Sequence, residues 1–339
     1  MHPTVIIAAL LISWLGTLLI ERHADRLGLV QAPNARSSHT RPTPRGGGLA
    51  IALASVLAAT ALALTGHGEL WTITILAMCI ASLGFADDLF DLSPALRFPI
   101  QAVVFSTLLW TSGPLPGIAL PLGLALAGPL LFIIVLLVGL WWLNLFNFMD
   151  GIDGIAGSQA ILLLLGGSAI WWLGNPAAAD FSAFWLALAG AAATGGFLLR
   201  NWPPAKIFMG DAGSNALALL IFGVAISTIV EGQTAYQPWL ILPAVFVTDA
   251  TVTLLRRLLR GERPWHAHRR HAYQQLSRVW GHRRVTLVYS GLTLFWTFPL
   301  AWAAQQLPIW SWWLVLLTYV PLVAHSLRAN AGGANEVGA

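Results

Sequence analysis

The chain has 339 residues, 57% of them hydrophobic and only 9% charged, with a formal net charge of +4. Average soluble domains carry roughly 25% charged residues, so the composition excludes a soluble globular protein and points to an integral membrane protein. A pI near 9.8 suits anionic lipid or phosphate at one surface, and no nucleic-acid recognition fold is visible.

A bilayer-spanning helix needs about 20 mostly apolar residues. Eleven such runs are expected in chain order, at residues 4–21, 47–65, 70–86, 96–112, 128–146, 155–173, 182–199, 213–230, 238–256, 285–303 and 308–326. Several are short or interrupted by Gly and Pro, so ten is the alternative count. The first run lacks a basic leader and an A-x-A cleavage site and is followed by Glu21 and Arg22, so it reads as a retained helix. The Pro-rich segment 113–127 reads as a hairpin or re-entrant piece. Cys79 is the single cysteine and reads as a small core residue. Residues 1–327 form one polytopic transmembrane domain in this reading, and residues 328–339 a disordered, frayed tail.

Lys and Arg favour the cytoplasmic side. With the N-terminus outside, inside segments collect Arg22, Arg26, Arg36, Arg41, Arg45, Arg97, Arg200, Lys206, Arg256, Arg257, Arg260, Arg263, Arg269, Arg270, Arg278, Arg283, Arg284 and Arg328, all 18 basic residues. Outside loops keep only Glu69, Asp180 and Glu231. The expected fold is an all-α polytopic bundle of about eleven helices with its active site on the cytoplasmic face.

Ionisable groups at membrane depth cost at least about 2.5–3.5 kcal/mol each near a helix centre, which makes them candidates for function. In F-A-D-D-L-F-D, Asp87 and Asp91 are four apart and Asp88 and Asp91 three apart, placing carboxylates on one side of a helical turn. In N-L-F-N-F-M-D-G-I-D-G, Asn144, Asn147, Asp150 and Asp153 recur every three residues. That spacing drifts by about 60° per step on a straight helix. Gly151 and Gly154 let the backbone bend, so Asn147, Asp150 and Asp153 are expected to converge, with Asn144 in support. Asp211 precedes an apolar helix in A-K-I-F-M-G-D-A-G-S-N, beside Lys206 and Phe208. A lone lysine beside an aromatic and a carboxylate suits a phosphorylated ligand with a flat base.

The basic loop R-P-W-H-A-H-R-R-H-A-Y-Q-Q-L carries His266, His268, Arg269, Arg270 and His271. It has no closed zinc set, whereas Arg with His binds phosphate. The stretch S-S-H-T-R-P-T-P-R-G-G-G includes Arg45, and Gly46 to Gly48 could let backbone approach a phosphate at a helix start. Asp249 lies seven residues before Arg256, so a buried ion pair and a contribution to the site both fit.

Acids for a hard divalent metal, Arg and His for phosphate, and an aromatic for a base together suit phosphoryl transfer on a lipid substrate. A proton- or cation-coupled transporter is the alternative, but it would need acids near the midplane and related halves.

At the motifs D-D-L-F-D, N-L-F-N-F-M-D-G-I-D-G-I-A-G and F-M-G-D-A-G-S, in this order and spacing, the chain resembles the polyprenyl-phosphate N-acetylhexosamine-1-phosphate transferases of glycosyltransferase family 4. These include phospho-N-acetylmuramoyl-pentapeptide transferase and the enzymes that initiate enterobacterial common antigen and O-antigen. The resemblance implies transfer of a sugar 1-phosphate from a UDP-N-acetylated aminosugar to undecaprenyl phosphate, with release of UMP. It also implies Mg2+, with Mn2+ as a substitute, and a multi-pass place among the lipids of the bacterial inner membrane, with a homodimer possible and no nucleic acid.

Carried over by motif, Asp211 looks like the principal metal ligand with Asn147 beside it. Asp87 would position or deprotonate the lipid phosphate, and Asp88 would assist with the metal or diphosphate. Asp150 and Asp153 would lie near the nucleoside, and Phe208 would stack on uracil. Arg45, His268, Arg269 and His271 would meet substrate, with Asp91, Lys206, His266, Tyr273 and Asp249 as further candidates. A direct attack and an aspartyl-phosphate route are both compatible with such a set. The antigen-initiating branch commonly reads H-I-H-H in its loop, whereas this chain reads His271-Ala272-Tyr273-Gln274. That form resembles enzymes using N-acetylfucosamine or N-acetylquinovosamine, with UDP-N-acetylglucosamine open.

Overall fold

The computed structural model describes residues 2–31, 42–262 and 268–333; Arg36, Arg41, Arg263 and His266 lie outside the described residues. The helices are α1 (His2–His23), α2 (Gly48–Leu64), α3 (Leu70–Phe90), α4 (Pro94–Thr111), α5 (Gly128–Phe148), α6 (Ile155–Gly174) and α7 (Ser182–Asn201). They continue with α8 (Asp211–Val230), α9 (Tyr236–Ile241), α10 (Ala244–Leu259), α11 (Ala272–Leu292), α12 (Phe298–Gln306) and α13 (Ser311–Arg328). Two short antiparallel ribbons interrupt them, β1 (Val30–Gln31) with β2 (Thr43–Pro44), and β3 (Ile118–Ala119) with β4 (Ala125–Leu126).

Among the described residues, eight helices are long and apolar enough to cross a membrane, and α2 is a shorter apolar helix. This is a multi-pass, all-α arrangement. The remaining apolar runs are broken or more polar. Run 238–256 is divided between α9 and α10, and α4 carries Arg97, Pro99 and Gln101 in its first half. The helix that holds the run at 285–303 is longer than the run, because α11 starts at Ala272, kinks at Gly281 and passes through a π-turn at Thr293–Thr297 into α12.

α8 is the axis of the bundle. Seventeen of its twenty residues are buried, and a sequence that is apolar all round is stable only when covered on every side. α1 buries only Ala9, Ser13 and Thr17, a stripe at four-residue spacing. Those small side chains let α1 approach α7, where a Cβ on Gly196 would overlap the Leu10 carbonyl. Cys79 is exposed rather than in the core.

The Pro-rich segment folds as the β3–β4 hairpin. Tyr236 Oη donates to the Pro116 carbonyl at 2.9 Å and Trp312 Nε1 to the Ala119 carbonyl at 2.8 Å. Beneath it, an apolar groove of about 380 Å³ runs between α5, α8, α9, α10 and α13, lined among others by Trp142, Leu145, Phe222, Trp239 and Trp312. Residues 329–333, the described part of the segment expected to fray, fold back on α10. Ala331 is buried, its carbonyl accepts from Arg256, and Gly332 N donates to the Arg270 carbonyl at 2.7 Å.

Candidate active site

Three chain reversals meet at one end of the bundle: the end of α3, the turn between α5 and α6, and the start of α8. α3 ends because Asp91 takes a left-handed conformation (φ 51°) and Pro94 opens α4. Asp87 and Asp88 stay buried in the last helical turn, while Asp91 swings out and is exposed. The expected trio of acids on one side of a turn is therefore a pair.

Asp88 reaches the start of α8, where its Oδ2 accepts from Ala212 N at 3.3 Å. A carboxylate at a helix N-terminus answers both the unpaired N–H groups and the helix dipole. Gly210 makes the approach possible: its φ is +77°, and a Cβ there would lie 2.7 Å from Asp88 Oδ2. Arg45 donates to the Asp88 carbonyl and lies 3.9 Å from Asp88 Oδ1.

Arg97 is only an orientation marker in the sequence, yet it lies at the centre of the site. Its guanidinium contacts Asp87 Oδ2 and lies 3.6 Å from Asp211 Oδ2. The available signal is its place in the first turn of α4, directly after the acidic turn. Asp211 is the first residue of α8, and its side chain is 29% exposed, so it is open to a ligand.

From α5, Asn147 Nδ2 donates to Ser214 Oγ at 3.1 Å, which sets its amide beside Asp211. Asn144 sits one turn behind, with Nδ2 donating to the Leu140 carbonyl at 2.8 Å and to Gln101 Oε1 at 3.4 Å. Asp150 lies in the turn after α5, half-buried. Burial first, then the charges of Asp211, Asp88 and Asp153, push its carboxyl well above the ordinary value.

Asp153 lies near enough to act on Asp150 and is itself held by the fold. Its Oδ2 accepts from Ala205 N at 3.0 Å and its Oδ1 lies 3.2 Å from His282 Nδ1, a residue that no sequence motif marks. Its carbonyl accepts from Thr286 Oγ1 at 2.9 Å. Asp153 thereby ties α11 to the 202–210 segment that carries exposed Lys206 and half-buried Phe208.

Gly47 and Gly48 do not present free N–H groups to an anion. Gly47 N and Gly48 N donate to the Phe208 and Met209 carbonyls, both at 2.9 Å, and Phe208 N donates to the Pro44 carbonyl. Their small size serves backbone packing, which places Arg45 beside Asp88.

The described part of the basic loop packs against the end of α5. His271 is buried, with its ring 6.5 Å from Phe148 and 4.9 Å from His268. Burial, then His271, Arg257 and Arg270, push the His268 imidazole down to about 3, so it is neutral. Arg269 is half-buried, its carbonyl accepting from Arg278 at 3.2 Å. Arg270 pairs with Glu262 at 2.6 Å, and Glu262 pairs with Arg257 at 3.0 Å. Tyr273, a candidate for substrate contact, lies fully buried beneath the site. Asp249 makes no ion pair with Arg256, whose guanidinium holds the Ala331 carbonyl.

Among the described residues, no three His, Cys, Asp or Glu side chains enclose one metal position. The donors at this end are hard carboxylate oxygens, with Asp211 and Asp88 near enough to Asp150 for their charges to act on it. That set fits a cation such as magnesium, which takes one or two protein carboxylates and completes its shell with water and phosphate.

Compared with known protein families, residues 70–229 match glycosyl transferase family 4. The chain is 29% identical over 325 residues to decaprenyl-phosphate N-acetylglucosaminephosphotransferase of Mycobacterium tuberculosis, covering 83% of this chain and 77% of the relative. It is 31% identical over 264 residues to the probable undecaprenyl-phosphate N-acetylglucosaminyl 1-phosphate transferase of Bacillus subtilis, with 75% and 72% covered. To phospho-N-acetylmuramoyl-pentapeptide-transferase of Synechococcus elongatus it is 32% identical over 294 residues, with 74% and 73% covered.

Proposed function

The chain belongs to glycosyl transferase family 4, and from that premise we propose that it transfers a sugar 1-phosphate from a UDP-N-acetylhexosamine to a polyprenyl phosphate, undecaprenyl phosphate in a bacterial inner membrane. An oxygen of the lipid phosphate attacks the sugar-bearing phosphorus of the UDP-sugar. A P–O bond forms to the lipid, the P–O bond to UMP breaks, and UMP leaves with the bridging oxygen. The product is a polyprenyl-diphosphate sugar, the starting point of a cell-envelope polysaccharide such as O-antigen.

The observation that carries this reading is the meeting of Asp87, Asp88, Asp150 and Asp211 with Arg45 and Arg97 at one end of an apolar bundle. The segregation of all 18 basic residues supports eleven spans, an outside N-terminus and a cytoplasmic site. The apolar groove starts at Leu145 and Trp142, within a turn or so of Asn147, and suits an isoprenoid tail whose phosphate lies at the acids.

A magnesium ion, when bound, would neutralise charge on the diphosphate, with Asp211, Asn147 and Asp88 as its holders. Asp87 positions the lipid phosphate with Arg97, whose guanidinium can exchange a carboxylate for a phosphate oxygen. Polyprenyl phosphate is already ionised near neutral pH, so its attack needs placement more than deprotonation. Phe208 and the 202–210 segment receive the uridine. Asp153 shapes that segment from behind rather than touching the base.

Purified protein with magnesium and undecaprenyl phosphate should release UMP from at least one member of a UDP-aminosugar panel. N-acetylfucosamine, N-acetylquinovosamine and N-acetylglucosamine donors form the first set. Asp211→Ala should lower the rate by about 10³-fold or more, and a chelator should abolish it until magnesium or manganese is restored. Absence of turnover across the panel sinks the reading.

A further inference from the structure

Asp249 lies in the middle of α10 and is 1% exposed, yet its carboxylate is fully engaged. Oδ1 accepts from Ala272 N at 2.7 Å and from Thr253 Oγ1 at 3.3 Å. Oδ2 accepts from Tyr273 N at 2.9 Å and from Tyr289 Oη at 2.6 Å. The two backbone donors are the first N–H groups of α11, which a helix leaves without partners of its own. Asp249 thus caps α11 from a neighbouring helix.

The residue just before that cap is His271, whose Nδ1 lies 3.6 Å from Asp249 Oδ1. Its ring is stacked between His268 and Tyr273, with centroid distances of 4.9 and 5.7 Å. Tyr273 then crosses to the turn after α5. Its hydroxyl donates to the Phe148 carbonyl at 2.9 Å and fills the space a Cβ on Gly151 would need. Phe148 and Gly151 flank Asp150, so a few contacts link one buried carboxylate to the backbone from which another projects into the site.

We infer that Asp249 is a positioning residue: it seats His271 and, through Tyr273, sets the conformation of the 148–151 turn that carries Asp150. The activity readout rests on the transferase reading; the conformational readout does not. A brace that served α10 and α11 alone would respond to Asp249→Asn in stability only, and Tyr273→Phe, which removes one distant hydroxyl, would leave catalysis unchanged.

The test uses the full chain in detergent, with kcat and KM for UDP-N-acetylhexosamine, the melting temperature, and hydrogen exchange over residues 147–152. Asn at 249 offers one acceptor oxygen in place of two and turns an amide toward N–H donors. Asp249→Asn and Tyr273→Phe should each lower kcat, by about 10-fold for the first, with KM nearly unchanged. Both should speed exchange at Met149 N and Asp150 N, which bond the Leu145 and Asn147 carbonyls. The double variant should fall short of the product of the single effects, because both act along one chain of contacts.

Unchanged exchange at 147–152 in both variants overturns the inference, as does an unchanged kcat in a folded Asp249→Asn protein. If Asp249→Asn does not fold, Tyr273→Phe decides alone, since it removes one hydroxyl and keeps the ring. If the wild-type chain releases no UMP, the transferase reading fails while the exchange comparison still decides the positioning.

Discussion

Around Asp249 four donors converge on one carboxylate, whereas the groups acting on Asp150 are other acids: Asp211, Asp88 and Asp153. Both belong to the same end of the bundle, and Tyr273 connects them. An acid whose lone pairs all accept hydrogen bonds contributes stability and has no bonding capacity left for a ligand. An acid buried among like charges costs stability, and a cation or a phosphate-bound metal relieves it. Hydrogen-bond completeness, more than burial, separates the structural carboxylate from the functional one.

The sharpest way to break this comparison is to make the same substitution at both positions. Asp150→Asn should lower UMP release by about 10²-fold or more while raising the melting temperature of the ligand-free protein, because a half-buried carboxyl that is costly to ionise among other acids is replaced by an amide. The gain should be on the order of 1 kcal/mol. Asp249→Asn should move stability the other way, by about 3 kcal/mol, since at least one charge-assisted hydrogen bond at 1.5–3 kcal/mol is lost and a donor is left facing a donor. Equal signs in thermal unfolding would undo the distinction.

A smaller effect should appear in the pH dependence. The Asp150 carboxyl is raised in the folded chain, so between the ordinary Asp value and that raised value the native state holds more protons than the unfolded one. Stability of the ligand-free protein therefore falls as pH rises through this window. Asp150→Asn should flatten that slope, and unfolding curves collected from about pH 4 to 8 would reveal it. Magnesium with a UDP-sugar should flatten it as well.

The smallest effect tests the third acid. Asp153 is partly enclosed and paired with His282 at 3.2 Å, so His282→Ala should cost about 1 kcal/mol or less. Because the pair anchors the segment bearing Phe208, KM for the UDP-sugar should rise about three-fold with little change in kcat. A pure loss of kcat would instead make Asp153 a participant in the chemistry.

Much of this arrangement is legible in local pattern. Apolar runs mark the helices, and three acidic motifs, each at a helix end, name Asp88, Asn147, Asp150 and Asp211, which the fold brings together. What local pattern misses depends on contacts between distant segments. Spacing puts Asp91 beside Asp87, but a left-handed residue ends the helix first. Arg97 and His282 carry no motif, because their partners come from other elements. Heptad spacing suggests Arg256 for Asp249, yet uncapped N–H groups on α11 are the stronger claim on that carboxylate. The glycines at 46–48 look like an anion cradle, but Gly47 and Gly48 are consumed by backbone pairing with Phe208 and Met209.

The contact between Tyr273 and Gly151 also constrains the order in which this chain can change. While the phenol is present, any side chain at 151 collides with it, so substitutions there are closed. A shorter residue at 273 must come first, and Gln274 Nε2, 3.1 Å from the same point, must also shift before position 151 can vary. Related chains that differ at both places should have crossed in that sequence, and a laboratory evolution that mutates 151 alone should stall until 273 gives way.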